Sequence, residues 1–592
     1  MCGICGKIST HKIISTEELV QSTQTLSHRG PDDQGIFLSK NQKTGLGHRR
    51  LSLLDLSAQG HQPMTLDNLT IVFNGEIYNY IELKDELEQI GIAFNSQCDT
   101  EVILKAYQYW GEQMLSKLRG MFAFAILDEY KQELFLARDR FGIKPLFYAF
   151  QKGNFYFGSE LKAIKSFSDF NALIEPSSIS LFLANRFVSN HQTMWQDLHK
   201  LPAAHTLTIK LDTLKYQIKP YWNLPLTTLS VSAEEASVQF EKLLQDSLSE
   251  HLRSDVPVGA FLSGGLDSSA TVTLMQTALD YQTQAFSIGF SGWNESEHQY
   301  AQLVANHVGA HLDTLILDKI DLDLMPTLMY HYDNPIADIS ILPTYLVSQL
   351  AHQKVKAVIS GEGADELLGG YWWQKPENFH PGDSWINAWK SKLFPNATSD
   401  IKRHYIYAMS MGLFDSKECR KVLNGVYQSA VPRDVFSHLD SLFHPELSRL
   451  KQIQLMDIHR FMGELVLTKI DRASMAHSLE VRVPFLDHRL VEWLFQLPEP
   501  CYMQPNVQKP LLQKLLKGKV PEKILQRPKQ GFVGPDVFYK DFHLYQSTLE
   551  HGRLIQDGII NPHYISKLLW SKDHWRLWKL FVLEHWWRVW VK

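Results

Sequence analysis

Residues 256–269 read Val256-Pro257-Val258-Gly259-Ala260-Phe261-Leu262-Ser263-Gly264-Gly265-Leu266-Asp267-Ser268-Ser269. The run from Val256 to Leu262 is short, apolar and closed by turn residues, which predicts a buried strand. Thr271 to Leu279 predicts a helix directly after the turn. Two glycines let the backbone fold closely around an anion, and a helix start adds free N–H groups and a favourable dipole. Ser263, Ser268 and Ser269 carry hydroxyls that can donate to phosphate oxygens. Asp267 cannot donate, so it is a candidate holder of a magnesium ion bridging phosphates. No lysine occupies the Walker position, which separates this loop from the ordinary P-loop. Taken alone, a Gly-Gly turn without any ligand is the competing reading.

Working outward, Ala285 to Phe290 predicts the next strand, Tyr300 to Val308 a helix and Val355 to Ile359 another strand. Such alternation implies a parallel sheet with helices on both faces. The third strand runs into Ser360-Gly361-Glu362-Gly363-Ala364-Asp365-Glu366-Leu367-Leu368-Gly369-Gly370-Tyr371. A second acidic, glycine-rich turn thus falls at the carboxyl edge of the sheet, where open α/β folds bind ligands. Asp365 is a second magnesium candidate there, and a solvated acidic loop is the alternative. Upstream, Ser232 and Glu235 form a capping box, and Ala236, Phe240, Leu244, Leu248 and Leu252 make one buried helical face. The polar, Pro-containing stretch from Leu211 to Ser232 marks a domain boundary. After about Asn378 the pattern is mostly helical. Trp570, Trp575, Trp578, Trp586, Trp587 and Trp590 end it, interleaved with Arg576, Lys579 and Arg588. Their helical spacing favours core packing over a membrane or nucleic-acid face.

The first two hundred residues have a different grammar. Ile71-Val72-Phe73 runs into Asn74-Gly75, Met121 to Leu127 is nearly all apolar, and Phe155-Tyr156-Phe157 precedes Gly158. Helices are predicted at Glu82 to Ile90 and Glu101 to Trp110. This is a layered α+β pattern, sheets carrying helices outside. Cys2 follows the initiator Met and is small enough for methionine removal. That would put a thiol beside a free α-amine, which is partly neutral near pH 7 and able to act as its base. An inert terminal thiol, or a Cys2/Cys5 redox or metal pair, is the other reading. Asn-Gly after a strand predicts a tight turn aiming an amide and a backbone N–H at one point, as a tetrahedral acyl intermediate requires. Arg50 and Asp99 complement the two ends of a zwitterion, with a surface ion pair as the alternative.

Composition narrows the classes. Of 592 residues, 44% are hydrophobic and 21% charged, as in ordinary globular proteins. The 59 Lys+Arg against 64 Asp+Glu leave a net charge of −5. That balance argues against a nucleic-acid binder or a polybasic membrane patch. No run is long and apolar enough for a membrane span, and the N-terminus lacks signal-peptide character. Five cysteines are too few for a disulfide framework, so a reduced, cytoplasmic protein is expected.

The segments His28-Arg29-Gly30-Pro31-Asp32-Asp33, Gly47-His48-Arg49-Arg50-Leu51-Ser52, Phe73-Asn74-Gly75-Glu76-Ile77-Tyr78-Asn79, Cys98-Asp99-Thr100-Glu101, Gly120 to Phe124 and Ala137 to Leu146 resemble, in order and spacing, the glutaminase domain of class II glutamine amidotransferases. The resemblance covers residues 2–215. It implies the N-terminal-nucleophile α+β fold, with Cys2 attacking the glutamine side-chain amide. Asn74 and the Gly75 N–H would hold the oxyanion, and Arg50 and Asp99 the α-carboxylate and α-amine. Leu51, Ser52, Leu53, Leu54 and Glu76 would complete the glutamine pocket.

The loop at 263–269 looks like that of the ATP pyrophosphatase group, which cuts ATP between the α- and β-phosphates. With Ala285 to Phe290 and Leu479-Glu480-Val481-Arg482-Val483-Pro484-Phe485-Leu486-Asp487-His488, residues 232–592 resemble the α/β synthetase domain of the glutamine-hydrolysing asparagine synthetase family. That likeness implies ATP and Mg2+ and a β-aspartyl adenylate displaced by ammonia. Leu262, Ile288, Ser360 and Gly361 would contact ATP together with the 263–269 loop, including Gly264 and Gly265. Glu362 and Lys509 would serve adenylation, a surface lysine being the other reading of Lys509. The segment Asp333 to Tyr345 fits the longer bacterial branch and departs from the Thr-Thr-x-Arg loop of shorter members. The acceptor therefore stays open between aspartate and a sugar carboxylate, and a homodimer is compatible with the resemblance.

Overall fold

In a computed structural model, which describes residues 2–189, 191–293, 296–375, 397–531, 534–535 and 539–591, the apolar run of Gly120–Asp128 divides by strand alternation. Ala123, Ala125 and Leu127 face one core, and Phe122, Phe124 and Ile126 another. The strand is covered on both sides, which is why it is apolar throughout. It lies in a six-stranded antiparallel sheet ordered Tyr216–Pro220, His205–Lys210, Glu133–Arg138, Gly120–Asp128, Leu69–Ile77, Met64–Leu66. A second such sheet is ordered Leu198–Lys200, Phe147–Gln151, Asn154–Gly158, Gly3–Ser9, Thr44–Arg50, Asp33–Leu38. Ile4, Ile8 and Leu46 of one sheet pack on Val72, Leu134 and Leu136 of the other. Helices Tyr80–Gln89 and Asp99–Trp110 cover the outer face of the first. This is the layered N-terminal-nucleophile architecture.

Two expectations change here. Tyr216–Pro220 pairs with His205–Lys210, so the sheet continues past residue 215 and only the following stretch is irregular. Asn74 and Gly75 do not form a tight turn. They sit inside Leu69–Ile77, opposite Ala123 and Phe122. A nine-residue strand paired along its whole length outweighs the local turn preference of Asn-Gly.

The second half opens with helix Ala233–His251, capped by Ser232 and Glu235 as expected. A five-stranded parallel sheet follows, ordered His311–Leu317, Gln284–Phe290, Val258–Phe261, Ala357–Ile359, Glu480–Arg482. The chain leaves Val258–Phe261 toward one edge and returns on its other side at Ala357–Ile359. The turns after these two neighbours therefore diverge at a topological switch point, the usual ligand crevice of such sheets.

The rest is largely helical among the described residues, and Asn378, where that pattern was expected to begin, lies outside them. Helix His574–Trp590 buries Trp578, Trp586 and Trp587. Its Trp586 Nε1 donates to Asp333 O at 2.6 Å, and Lys579 Nζ to Leu183 O at 2.7 Å. The tryptophan stripe is core packing from Trp575 to Trp590, while Trp570 is 87% exposed and stands apart from it. No helix among the described residues is long and apolar enough to cross a membrane.

Candidate active sites

Cys2 stands at the head of Gly3–Ser9, a central strand of its sheet, and is 8% exposed. Asn74 shares the face of Val72, which points at that sheet. The Cys2 N–H donates to Asn74 Oδ1 at 3.0 Å. This contact fixes the amide, while Asn74 Nδ2 is buried with no hydrogen-bond partner. A buried amide donor without an acceptor costs about 1–3 kcal/mol, and beside a thiol it offers a free donor for a bound group. A Cβ on Gly75 would lie 2.1 Å from Met121 O, so no side chain fits beside the amide. Burial pushes the Cys2 thiol up, opposed by the terminal charge, the Leu51 backbone and Arg50.

Arg50 ends Thr44–Arg50 and donates to the carbonyls of Leu54 (3.1 Å), Asp55 (2.5 Å) and Ser57 (3.1 Å). A Cβ on Gly60 would fall 1.9 Å from its Nη2, so glycine makes room for the guanidinium. Asp99 opens helix Asp99–Trp110 and accepts from the Ile77 N–H at 3.0 Å. Burial raises its pKa to about 6, against the lowering effect of that N–H. Glu76 is pushed well above the carboxylate range by burial and by Glu480, with Arg482 3.5 Å away. Leu51, Leu53 and Leu54 are buried, and the Ser52 N–H is held by Asp32 at 2.8 Å.

At the switch point, the two acidic turns meet over a cavity of about 250 Å3. Leu262, Ser263, Asp267, Ser268, Ser360, Gly361, Glu362 and Asp365 line it. Gly264 takes φ +73°, and a Cβ there would strike the Tyr300 backbone at 2.5 Å. Ser263 Oγ accepts from the Gly265 N–H at 3.3 Å and lies 3.1 Å from Ser268 Oγ. Ser269 and Ile288 are buried but are not on the cavity wall. Lys509 adopts φ +45° and sets its Nζ 2.5 Å from Asp267 Oδ1 and 2.5 Å from Asp365 Oδ1. Lys529 pairs with Asp365 as well. Against burial, the two lysines hold Asp365 well below the carboxylate range. Lys509 thus reaches the two candidate magnesium carboxylates and not Glu362, whose pKa is raised by burial and lowered by Lys469.

Residues 239–588 match the asparagine synthase family, and residues 1–222 match a glutamine amidotransferase domain. The chain belongs to the asparagine synthase family. It is 33% identical to a glutamine-hydrolyzing asparagine synthetase of Bacillus subtilis, across 90% of this chain and 87% of that one. A putative glutamine-hydrolyzing asparagine synthetase of Mycobacterium tuberculosis is 30% identical across 100% and 98%. Another from Methanocaldococcus jannaschii is 39% identical across 63% and 76%.

In this family member the cavity wall also holds Asp338, Ser340 and Thr344, from the segment the sequence ties to the acceptor, and Lys469 and Lys529, which carry no such signal. Lys469 Nζ donates to Ser340 Oγ at 2.7 Å. Asp338 and Ser340 come from the Asp333–Tyr345 segment that departs from the shorter members. The one available signal for Lys469 is Lys469-Ile470-Asp471-Arg472, three charges in four residues of a helix buried on every side. Helix charges are ordinarily a solvated face.

Proposed function

We propose that the chain is a glutamine-dependent asparagine synthetase that adenylates aspartate with ATP and amidates it with ammonia from glutamine. The observation that carries this reading is the partnerless buried Asn74 Nδ2 beside Cys2, in one chain with two carboxylates at the switch point. After removal of Met1, the Cys2 α-amine takes the thiol proton and the sulfur attacks the glutamine amide carbon. Asn74 Nδ2 and the Gly75 N–H receive the oxyanion, ammonia leaves, and water frees glutamate. Arg50 takes the α-carboxylate and Asp99 the α-ammonium, between the Leu51–Leu54 segment and Glu76.

In the second site the aspartate β-carboxylate attacks the α-phosphate of ATP. Pyrophosphate leaves onto Ser263, Gly264, Gly265 and Ser268 at the helix start, with Ser269 buried behind them. Leu262, Ser360 and Gly361 support the nucleotide, with Ile288 in the core behind them, and Glu362 faces the acceptor end with Lys469. Ammonia then displaces AMP from the adenylate. Asp267 and Asp365 offer oxygen ligands of the type Mg2+ takes, in a place that already accommodates a shared cation. A bound Mg2+ would neutralise charge on the phosphates, and Lys509 supplies a fixed positive charge beside it.

Phosphorus NMR with mass spectrometry of a turnover mixture tests the reading, with ATP, glutamine and either aspartate or a uronic acid. AMP, pyrophosphate and asparagine are expected. ADP as the stoichiometric product would overturn the mechanism, and an amidated uronic acid without asparagine would replace the acceptor.

A further inference from the structure

The helix Leu467–Met475 touches both sites. Toward the cavity it presents Lys469 and Ile470. Its next two residues, Asp471 and Arg472, are 3% and 1% exposed and point into the amidotransferase half. Asp471 receives both ends of the Arg29 guanidinium, at 2.9 Å from Nη1 and 3.1 Å from Nη2. The Nε of the same arginine donates to the backbone carbonyl of Cys2 at 3.0 Å. Arg472 donates to Ser159 O at 3.1 Å, and Ser159 Oγ in turn accepts from the Ile4 N–H at 3.0 Å. Two adjacent helix residues therefore grip the strand that carries the nucleophile at two successive points.

The grip is electrostatically closed. Glu160 pairs with Arg29 at 2.9 Å and with Arg472 at 2.7 Å. Lys144 lies 3.9 Å from Asp471, and Arg472 lies 3.4 Å from Asp333. Burial alone would raise the Asp471 carboxyl, but Arg29 and Lys144 hold it below its usual range. Removing one partner of such a buried pair strands the other as an uncompensated buried charge. The contact therefore transmits displacement instead of yielding to it.

The same helix also starts from an irregular base. The turn before it, Asp457–Val466, is π-helical, and the Leu467 N–H bonds back to Met462 O. Phe461, Leu465 and Val466 of this turn form cavity wall. π turns are strained relative to α turns and recur at functional sites. Returning one residue to α geometry moves the following helix by about 1.5 Å. A shift of that size, passed on by the two-point Arg29–Asp471 contact, reaches the Cys2 carbonyl through Arg29 Nε.

We propose that helix Leu467–Met475 couples the two sites: filling the ATP–acceptor cavity repositions Cys2 through Asp471–Arg29 and Arg472–Ser159. Asp471 and Arg472 are positioning residues, since they touch no substrate. The inference rests on the reading of both sites given above. By linkage, glutamine must change nucleotide affinity by the same factor that nucleotide changes glutamine affinity.

The test times glutamine hydrolysis by the full chain with and without α,β-methylene-ATP plus aspartate, which fill the second site without turnover. In the unaltered protein the ligands should change kcat/KM for glutamine by about fivefold or more. Asp471→Asn and Arg472→Gln should bring that response below about twofold, and Asp471→Glu should restore part of it. Arg119→Gln breaks another contact between the halves, the 2.9 Å pair with Glu250, and should leave the response intact. An unaltered protein that hydrolyses glutamine at the same rate with and without the ligands overturns the coupling alone. So does Asp471→Asn with the full response. A protein that hydrolyses no glutamine overturns the site reading and the coupling together.

Discussion

Around Cys2 the polar groups stand on strands and helix starts, already aimed, and one of them, Asn74 Nδ2, has nothing to bind. Around Asp267 and Asp365 the acids sit on turns and are satisfied by Lys509 and Lys529. The first site is preorganised at the expense of an unmet donor; the second is charge-balanced, and under the proposed function it would exchange partners when a polyanion and its cation enter. Placement follows topology. A residue within a paired strand has its direction fixed by the pleat, whereas a turn at a sheet edge can rearrange around its ligand.

The largest effect that would separate the two sites is expected from Asp267→Asn. If Asp267 holds the proposed Mg2+, its loss should slow product formation on the order of a thousandfold, the several kcal/mol that metal charge stabilisation supplies. Glutamine hydrolysis measured in the same sample should stay within a small factor. An equal loss in both assays would mean that the sites are not separate. Asn74→Ala should lower kcat for glutamine hydrolysis by about a hundredfold to a thousandfold with little change in KM, as expected for a missing oxyanion donor. A change in KM alone would make Asn74 a ground-state contact.

Arg50→Ala and Asp99→Ala should instead raise KM for glutamine by about tenfold to a hundredfold, the worth of one charge-assisted hydrogen bond. The pH profile sharpens the role of Asp99, whose pKa is raised from 3.8 to about 6 by burial. Its folded form binds the proton more tightly than the unfolded chain does. Stability from this group therefore rises as pH falls through about 6 and is lost above it. Binding of an ammonium needs the carboxylate, so the sign for catalysis is opposite. kcat/KM for glutamine should fall about tenfold per pH unit below that value. An unaltered acidic limb in Asp99→Asn would remove Asp99 from that role.

The same contrast explains what could be read from the sequence. Residues of the amidotransferase half lie in short contiguous motifs, because each strand or helix start delivers its own functional group. The switch point was legible for a similar reason: each glycine-rich turn directly follows its strand. Asp338 and Ser340 lie in the segment the sequence ties to the acceptor, whereas Lys469 is not legible, since it reaches the cavity from a helix whose local pattern resembles core. His311–Leu317 and Glu480–Arg482 were also missed as strands. The first has an exposed face and the second is three residues long, so neither offers the apolar run that marks a buried strand. Asn74-Gly75 reads as a turn because local propensity carries no information about the partner strand that extends it.

The most direct test of two sites in one chain is product formation by Cys2→Ala, with glutamine or with ammonium chloride as the nitrogen source. Synthesis from glutamine should be abolished while synthesis from ammonia proceeds at the rate of the unaltered protein. Normal use of glutamine by the variant, or loss of the ammonia reaction in a folded protein, would contradict the account.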